Sequence, residues 1–192
     1  MDTFELAMFV HIIAMTAGFM MAATLHVALY QSRSATRVAE MKPWPRVIHR
    51  VEPLLPVTAL VIFFSGMFMI SRSDGEFAWK DPWLLASIVG LVLAEIIGAS
   101  LVPRSKAFQA AIVAAPEGPV GDDLRPAPVL WIGSHSATAL FLGVVYLMVM
   151  KPSGPVSVGV LVVAEALGIA TALPLLRKPA VTAAGVPTSA RT

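Results

Sequence analysis

Five long apolar segments leave this chain few choices of fold. A membrane-spanning helix needs about 20 predominantly apolar residues, and five stretches reach that length: residues 4–30, 47–70, 83–102, 129–150 and 156–176. Only 14% of the residues are charged, against about 25% in a soluble domain. The sequence therefore predicts an all-α fold, a polytopic membrane helix bundle of five transmembrane helices, within residues 1–176 and in contact with the lipid bilayer.

The basic residues between these segments predict how the bundle is oriented. Eleven fall on one side of the membrane: Arg33, Arg37, Lys42, Arg46, Arg50, Arg104, Lys106, Arg125, Arg177, Lys178 and Arg191. Three fall on the other: Arg72, Lys80 and Lys151. Excess Lys and Arg stay cytoplasmic, so we expect the N-terminus outside and the C-terminus in the cytoplasm of a multi-pass membrane protein. This topology accounts for the basic pI without a nucleic-acid partner.

Proline and polar residues mark the breaks between the predicted spans. Pro53 and Pro56 fall in the first turns of the second span and predict a kink there. Residues 114–128 are rich in Pro, Gly and Asp and are predicted to form a polar cytoplasmic loop. Residues 177–192 are predicted to form a disordered cytoplasmic tail. Trp44 and Trp131 are expected at the inner membrane interface, as part of an aromatic belt.

Small residues recur at four-residue spacing in four of the spans and predict close helix contacts. They are Ala14, Gly18 and Ala22; Gly90, Ala94 and Gly98; Ala139 and Gly143; and Ala164, Gly168 and Ala172. Such stripes usually mean helix packing, although a flat macrocycle also needs a groove of small residues.

The four histidines are the first candidates for a site. A histidine facing lipid is costly, so His11, His26 and His135, which share faces with the small residues, are expected to face the bundle interior. His11 and His26 stand about 22 Å apart along one helix, which places His11 in the outer half. His49 and His135 fall at the inner level of His26.

This arrangement predicts heme b as a cofactor. Two histidines at one depth on neighbouring helices suit axial ligation, and His26 with either His135 or His49 meets that condition. His11 would need a partner at the outer level, where Met67, Met69, Met148 and Met150 lie. The bland alternative is that His26 and His49 contact headgroups while His135 packs between helices.

Copper is a second candidate, because ten methionines and four histidines without cysteine suit soft-ligand coordination. In that case His11, His26 and His135 are the histidine ligands to test. Methionine is equally an ordinary residue for filling gaps in a core.

Two carboxyl groups are predicted near the middle of the membrane. Glu95 and Glu165 fall centrally in the third and fifth spans, and a carboxyl at that depth commonly serves proton or ion relay. The alternative is a structural carboxyl that hydrogen-bonds a neighbouring helix.

Two stretches resemble known families. The segment FVHIIAMTAGFMMAATL in the first span resembles the opening shared by CopD-type copper-resistance proteins, HemJ-type protoporphyrinogen oxidases and a large uncharacterised family of predicted bacterial integral membrane proteins. The segment VVYLMVMKP, which ends the fourth span, resembles that uncharacterised family. The likeness covers roughly residues 5–152 and implies a multi-pass protein of the bacterial inner membrane. The HemJ-type resemblance implies heme b with His11 as a ligand; the segment HRVEPLLP departs from that type.

Taken together, the sequence predicts a heme b-binding membrane protein with an electron-transfer or oxidoreductase-subunit role, whose partners are other membrane redox subunits or a quinone. Spacing favours the inner histidines as ligands, whereas the resemblance and the interior position favour His11, which we therefore expect to be the single ligand. The alternative function is a heme-free subunit or transporter-like protein that handles copper. Whether the chain is itself an enzyme stays open.

Overall fold

The computed structural model describes residues 2–73 and 75–176, and the predicted tail at 177–192 lies outside these residues. The described residues form seven α-helices and no strand: α1 Thr3–Ser34, α2 Val38–Met41, α3 Trp44–Val51, α4 Leu54–Ser71, α5 Pro82–Ala114, α6 Pro128–Met150 and α7 Gly154–Ala172. Short 3-10 turns cover Asp122–Leu124 and Leu173–Leu176. By length and composition, five helical segments can cross a membrane. The predicted all-α membrane bundle of five spans is confirmed, while its orientation stays a prediction.

Local sequence signals start the helices. The side chain of Asp2 accepts a hydrogen bond from the backbone N–H of Phe4, and the side chain of Glu5 accepts one from Asp2. This capping box satisfies N–H groups that a helix start leaves without partners. Helices α5, α6 and α7 each carry proline in the first turn, where its missing N–H costs nothing.

The second span is interrupted at Pro53, where a kink was predicted. Helix α3 ends at Val51 and α4 begins at Leu54, so Glu52 and Pro53 separate two helical pieces. Pro53 has no N–H to continue the ladder of α3. Pro56 then lies inside the first turn of α4, where proline is tolerated.

Helix α5 is longer than the predicted span that it contains. The apolar segment ends at residue 102, yet the helix continues through Pro103 to Ala114. Its last turns are held by tertiary packing, since Phe108 and Ile112 are buried in a cluster that includes Leu29 and Trp131. Hydropathy predicts how much of a helix lies in lipid and does not report where the helix stops.

Close packing joins the helices into two groups. Helix α1 packs mainly on α4, and α6 packs on both α5 and α7. A Cβ added at Gly168 of α7 would lie 2.9 Å from the carbonyl oxygen of His135 and from Cα of Ser136. The small residues of α6 and α7 therefore allow these two helices to approach closely, as expected for such stripes. Gly98 differs, because a Cβ there would meet no atom within 4 Å.

The outer faces of the helices are apolar and exposed. Phe64 is 62% exposed, Met20 67% and Val149 72%, and many other large apolar side chains share this position. These exposed apolar side chains are removed from water when a lipid bilayer surrounds the bundle.

A folded cap covers one end of the bundle, where sequence reasoning expected only polar loops. Residues 35–43 and 115–127 form it, and we call this end the basic end. The backbone N–H of Val38 donates to the carbonyl of Gly118, and that of Val120 donates to Thr36. Val38 and Met41 are 2% and 0% exposed. Some of the most buried residues of the molecule therefore lie outside the predicted spans.

The expected place of Trp131 in an aromatic belt is wrong. It lies at the predicted level near the basic end, but only 3% of its surface is exposed, and it packs against the core cluster of Leu29 and Phe108. Trp131 thus faces the protein rather than the lipid interface. Hydropathy gives the depth of a residue in a span, but helix rotation decides which way its side chain points.

Candidate functional site

A cleft separates the two helix groups near the basic end. Its volume is about 430 Å³, within the range of about 300–1,000 Å³ that is usual for small-molecule and cofactor sites. Most of its wall is apolar, from α1, α4, α5 and α6. The polar side chains in the wall are His26, His49, Glu52, Thr58, Glu95, Lys106, Ser134 and Thr138.

His26 and His135 meet at the wall of this cleft. Their ring centres are 4.7 Å apart and the rings cross at 72°. His26 lies on α1 and lines the cleft, while His135 lies on α6 and lines a second cavity that His26 also borders. The prediction that these two histidines share one depth on neighbouring helices agrees with this contact.

The hydrogen bonds of the two rings fix their tautomers. Nδ1 of His26 lies 2.8 Å from the carbonyl oxygen of Ala22, and Nδ1 of His135 lies 2.9 Å from that of Trp131. A carbonyl oxygen only accepts, so each Nδ1 carries the proton and donates it. In the neutral ring each Nε2 then holds a free lone pair, the form in which imidazole binds a metal.

The separation of the two rings bears on bis-histidine ligation. Metal–nitrogen bonds of about 2 Å on opposite sides of one iron put the ring centres about 6 Å apart. The observed 4.7 Å is shorter, so a porphyrin does not fit between these two rings as they stand. One histidine of the pair as an axial ligand fits the arrangement better than both.

Glu95 lies inside the cleft, half-buried on α5. One turn further along, Gly98 borders the cleft and leaves open space where a side chain would stand. Glu165 lies elsewhere, half-buried on α7, and its Oε2 atom is buried without a hydrogen-bond partner in the described residues. The structure therefore brings Glu95, and not Glu165, to the histidine site.

His49 and Lys106 are exposed residues that line the cleft near the basic end. His49 is exposed on α3 and borders the cleft together with Glu52. Lys106 is exposed on the extended end of α5. Lys106 was not predicted as a site residue, because it lies beyond the apolar segment that ends at residue 102.

His11 lies apart from the other histidines. It is only 6% exposed, and neither the cleft nor the second cavity includes it. The Ser65 hydroxyl donates to the Val61 carbonyl, so Nδ1 of His11 donates to Ser65 Oγ over 3.0 Å. Its Cε1 atom is 3.3 Å from the point where Gly66 would carry a Cβ. His11 is tightly packed between α1 and α4.

The described residues hold no group of three or more His, Asp or Glu side chains that could bind a bare metal ion. His11, His26 and His135 in particular do not converge. Heme is less demanding, because its porphyrin supplies four nitrogen ligands and the protein needs to add only one or two.

Lys151 has a structural role at the end of α6. Lys151 terminates the helix in the left-handed conformation, with φ 47°. Its ammonium group lies 3.9 Å from the centre of the Phe77 ring, a cation–π contact. This contact fastens the loop before α5 to the end of α6, far from the cleft.

The comparisons with known proteins give a family and no activity. No curated protein and no solved structure matches the chain. Residues 5–152 match a family described as predicted integral membrane protein (DUF2269), in agreement with the uncharacterised family that the sequence resembles. The likeness to HemJ-type and CopD-type proteins stays an expectation from sequence. The match spans most of the chain, which therefore belongs to the DUF2269 family of predicted integral membrane proteins.

Proposed function

We propose that this protein binds heme b in the cleft, with His26 as an axial ligand, and that it acts in electron transfer as a subunit of the bacterial inner membrane. Its redox partners are other subunits or a quinone in the same bilayer. The observation that carries the proposal is the presentation of His26: a ring held by its own helix, with a free Nε2, at the wall of an apolar cleft.

The fixed orientation of the His26 ring is what a heme ligand requires. A ligating histidine usually donates its other N–H to a carbonyl, which fixes the ring and raises its basicity. The bond from Nδ1 of His26 to Ala22 does this without any ligand. Contact with the His135 ring supports the same orientation from α6.

The cleft suits the rest of the cofactor. Gly18, Ala22 and Gly98 line the cleft without bulky side chains. A flat macrocycle can therefore lie close against the helices there. The two propionates of heme b are anionic, and Lys106 at the basic end offers them a cation. Glu95 lies along the same wall, where it can exchange a proton with the site.

Heme supplies one-electron redox chemistry, and its absorption gives the direct test. The protein should be purified from a membrane expression host supplied with heme precursor, then titrated with hemin in detergent. We expect a Soret band and a heme-to-protein ratio near one. A pure, folded protein whose titration gives no Soret shift relative to free hemin in the same detergent would refute the proposal and favour the heme-free alternative.

A further inference from the structure

A second cavity, which we call the groove, follows the seam between α6 and α7. Its volume is about 680 Å³, and it shares His26 and Thr138 with the cleft. From Val156 to Thr171 its wall extends along α7 for about 22 Å. The groove is therefore long, and at one end it adjoins the proposed heme site through His26 and Thr138.

The groove opens sideways towards the lipid. Gly159 in its floor leaves open space within 4 Å of a would-be Cβ. The rim residues Tyr146, Val163 and Leu167 are 48%, 57% and 58% exposed. An apolar molecule dissolved in the bilayer can thus enter without opening the bundle.

One end of the groove offers a hydrogen-bond acceptor, so a ligand there needs a donor. Nδ1 of His135 donates to the Trp131 carbonyl, so Nε2 of the neutral ring is an acceptor. No hydrogen bond to this Nε2 is present among the described residues. The complementary occupant has a hydroxyl donor on its head and an apolar body behind it. An ester lipid tail or a quinone carbonyl offers no such donor.

From this complementarity we propose that the groove binds a long-chain quinol, with a ring hydroxyl donating to Nε2 of His135 and the tail lying along α7. A quinol combines the donor, a flat head that fits above small floor residues, and a tail of suitable length. The inference extends the proposed function by naming its redox partner, since the His135 ring contacts the proposed heme ligand. Binding itself does not need the heme.

The test uses heme-free protein in lipid nanodiscs and a benzoquinol with a ten-carbon tail. Tryptophan fluorescence reports binding, because the Trp131 ring centre is 6.1 Å from that of His135. The dimethyl ether of the same quinol is the matched ligand without donors. We expect it to bind about tenfold more weakly, as loss of one buried hydrogen bond implies. Equal binding of quinol and ether would overturn the proposal and leave only an alkyl-chain groove.

Two variants and one control locate the site. Gly159→Leu puts a side chain into the groove floor, where an added Cβ meets no atom within 4 Å, and should reduce quinol binding at least tenfold. Val162→Leu, on the exposed face of α7 outside the groove, should not. His135→Phe should make quinol and ether bind alike. Quinol binding that survives Gly159→Leu would contradict the inference. The fluorescence measurements use heme-free protein and do not depend on a Soret band. Failure of the heme proposal can therefore be told apart from failure of the quinol proposal.

Discussion

The imidazole rings of His26 and His135 meet edge to face, with their centres 4.7 Å apart. One ring belongs to α1 and the other to α6, so the contact joins the two helix groups at the place where the cleft and the groove come together. Each ring is held by a carbonyl of its own helix. The pair is thus preorganised, and each ring keeps an Nε2 that is free for a ligand.

Filling the cleft should block heme without harming the fold. Gly98→Leu places a side chain into open space and replaces a poor helix former with a good one. We expect hemin titration to give less than a tenth of the wild-type Soret change, with an unaltered thermal midpoint. Ile96→Leu, on the exposed face of α5 outside the cleft, is the control and should bind hemin normally. Full hemin binding by Gly98→Leu would place the heme elsewhere.

The seam between α6 and α7 should not tolerate a methyl group at Gly168. The added Cβ would lie 2.9 Å from backbone atoms of His135 and Ser136, which cannot move away as a side chain can. We expect Gly168→Ala to destabilise the protein by about 1–3 kcal/mol, measured as thermal unfolding in detergent by circular dichroism. Gly159→Ala in the same helix meets open space and should be neutral or slightly stabilising. Equal midpoints for the two variants would contradict this packing.

Much of the fold follows from local signals, and the rest depends on helix rotation. Twenty apolar residues define a span wherever they occur, and a rise of 1.5 Å per residue places His26 and His135 at one depth. The same arithmetic does not predict that His11 meets Ser65, because that contact depends on how α1 and α4 are turned towards each other. The cap was missed for a related reason: burial of Val38 and Met41 comes from tertiary contacts of short segments.

The cap at the basic end should depend on Arg125. Its guanidinium Nη1 donates to the carbonyls of Arg33 and Ala35, and hydrogen bonds from a charged donor contribute about 1.5–3 kcal/mol each when buried. Arg125→Gln should speed amide hydrogen exchange in residues 115–127 by about tenfold or more, while the helix cores stay protected. In Arg104→Gln, which alters a bond to its own helix, exchange in the cap should stay as in the wild type. Unchanged exchange in Arg125→Gln would show that apolar packing alone holds the cap.

The two carboxyl groups should behave differently. Glutamine keeps the shape of glutamate and offers both a donor and an acceptor, so Glu95→Gln and Glu165→Gln should both fold. Because Glu95 borders the cleft, only its replacement should weaken the pH dependence of the heme midpoint potential, measured by redox titration at several pH values. If Glu165→Gln has the larger effect, the assignment of Glu95 as the relay carboxyl is wrong.

The basic residues predict that the C-terminus is cytoplasmic. A fusion at the C-terminus should therefore be fluorescent with green fluorescent protein and inactive with alkaline phosphatase, which works only in the periplasm. The same reporters placed after residue 76, in the loop between α4 and α5, should give the opposite pattern. Phosphatase activity at the C-terminus would reverse the orientation.

One set of absorption spectra tests whether His26 is the heme ligand. Wild type, His26→Ala and His11→Ala should be titrated with hemin at equal concentration and compared in the oxidised and reduced states. We predict that His26→Ala loses the ligated Soret band, whereas His11→Ala keeps it, because His26 faces the cleft and His11 is packed against Ser65 and Gly66. A band that survives His26→Ala and disappears in His11→Ala would contradict the account and support the ligand that the family resemblance implies.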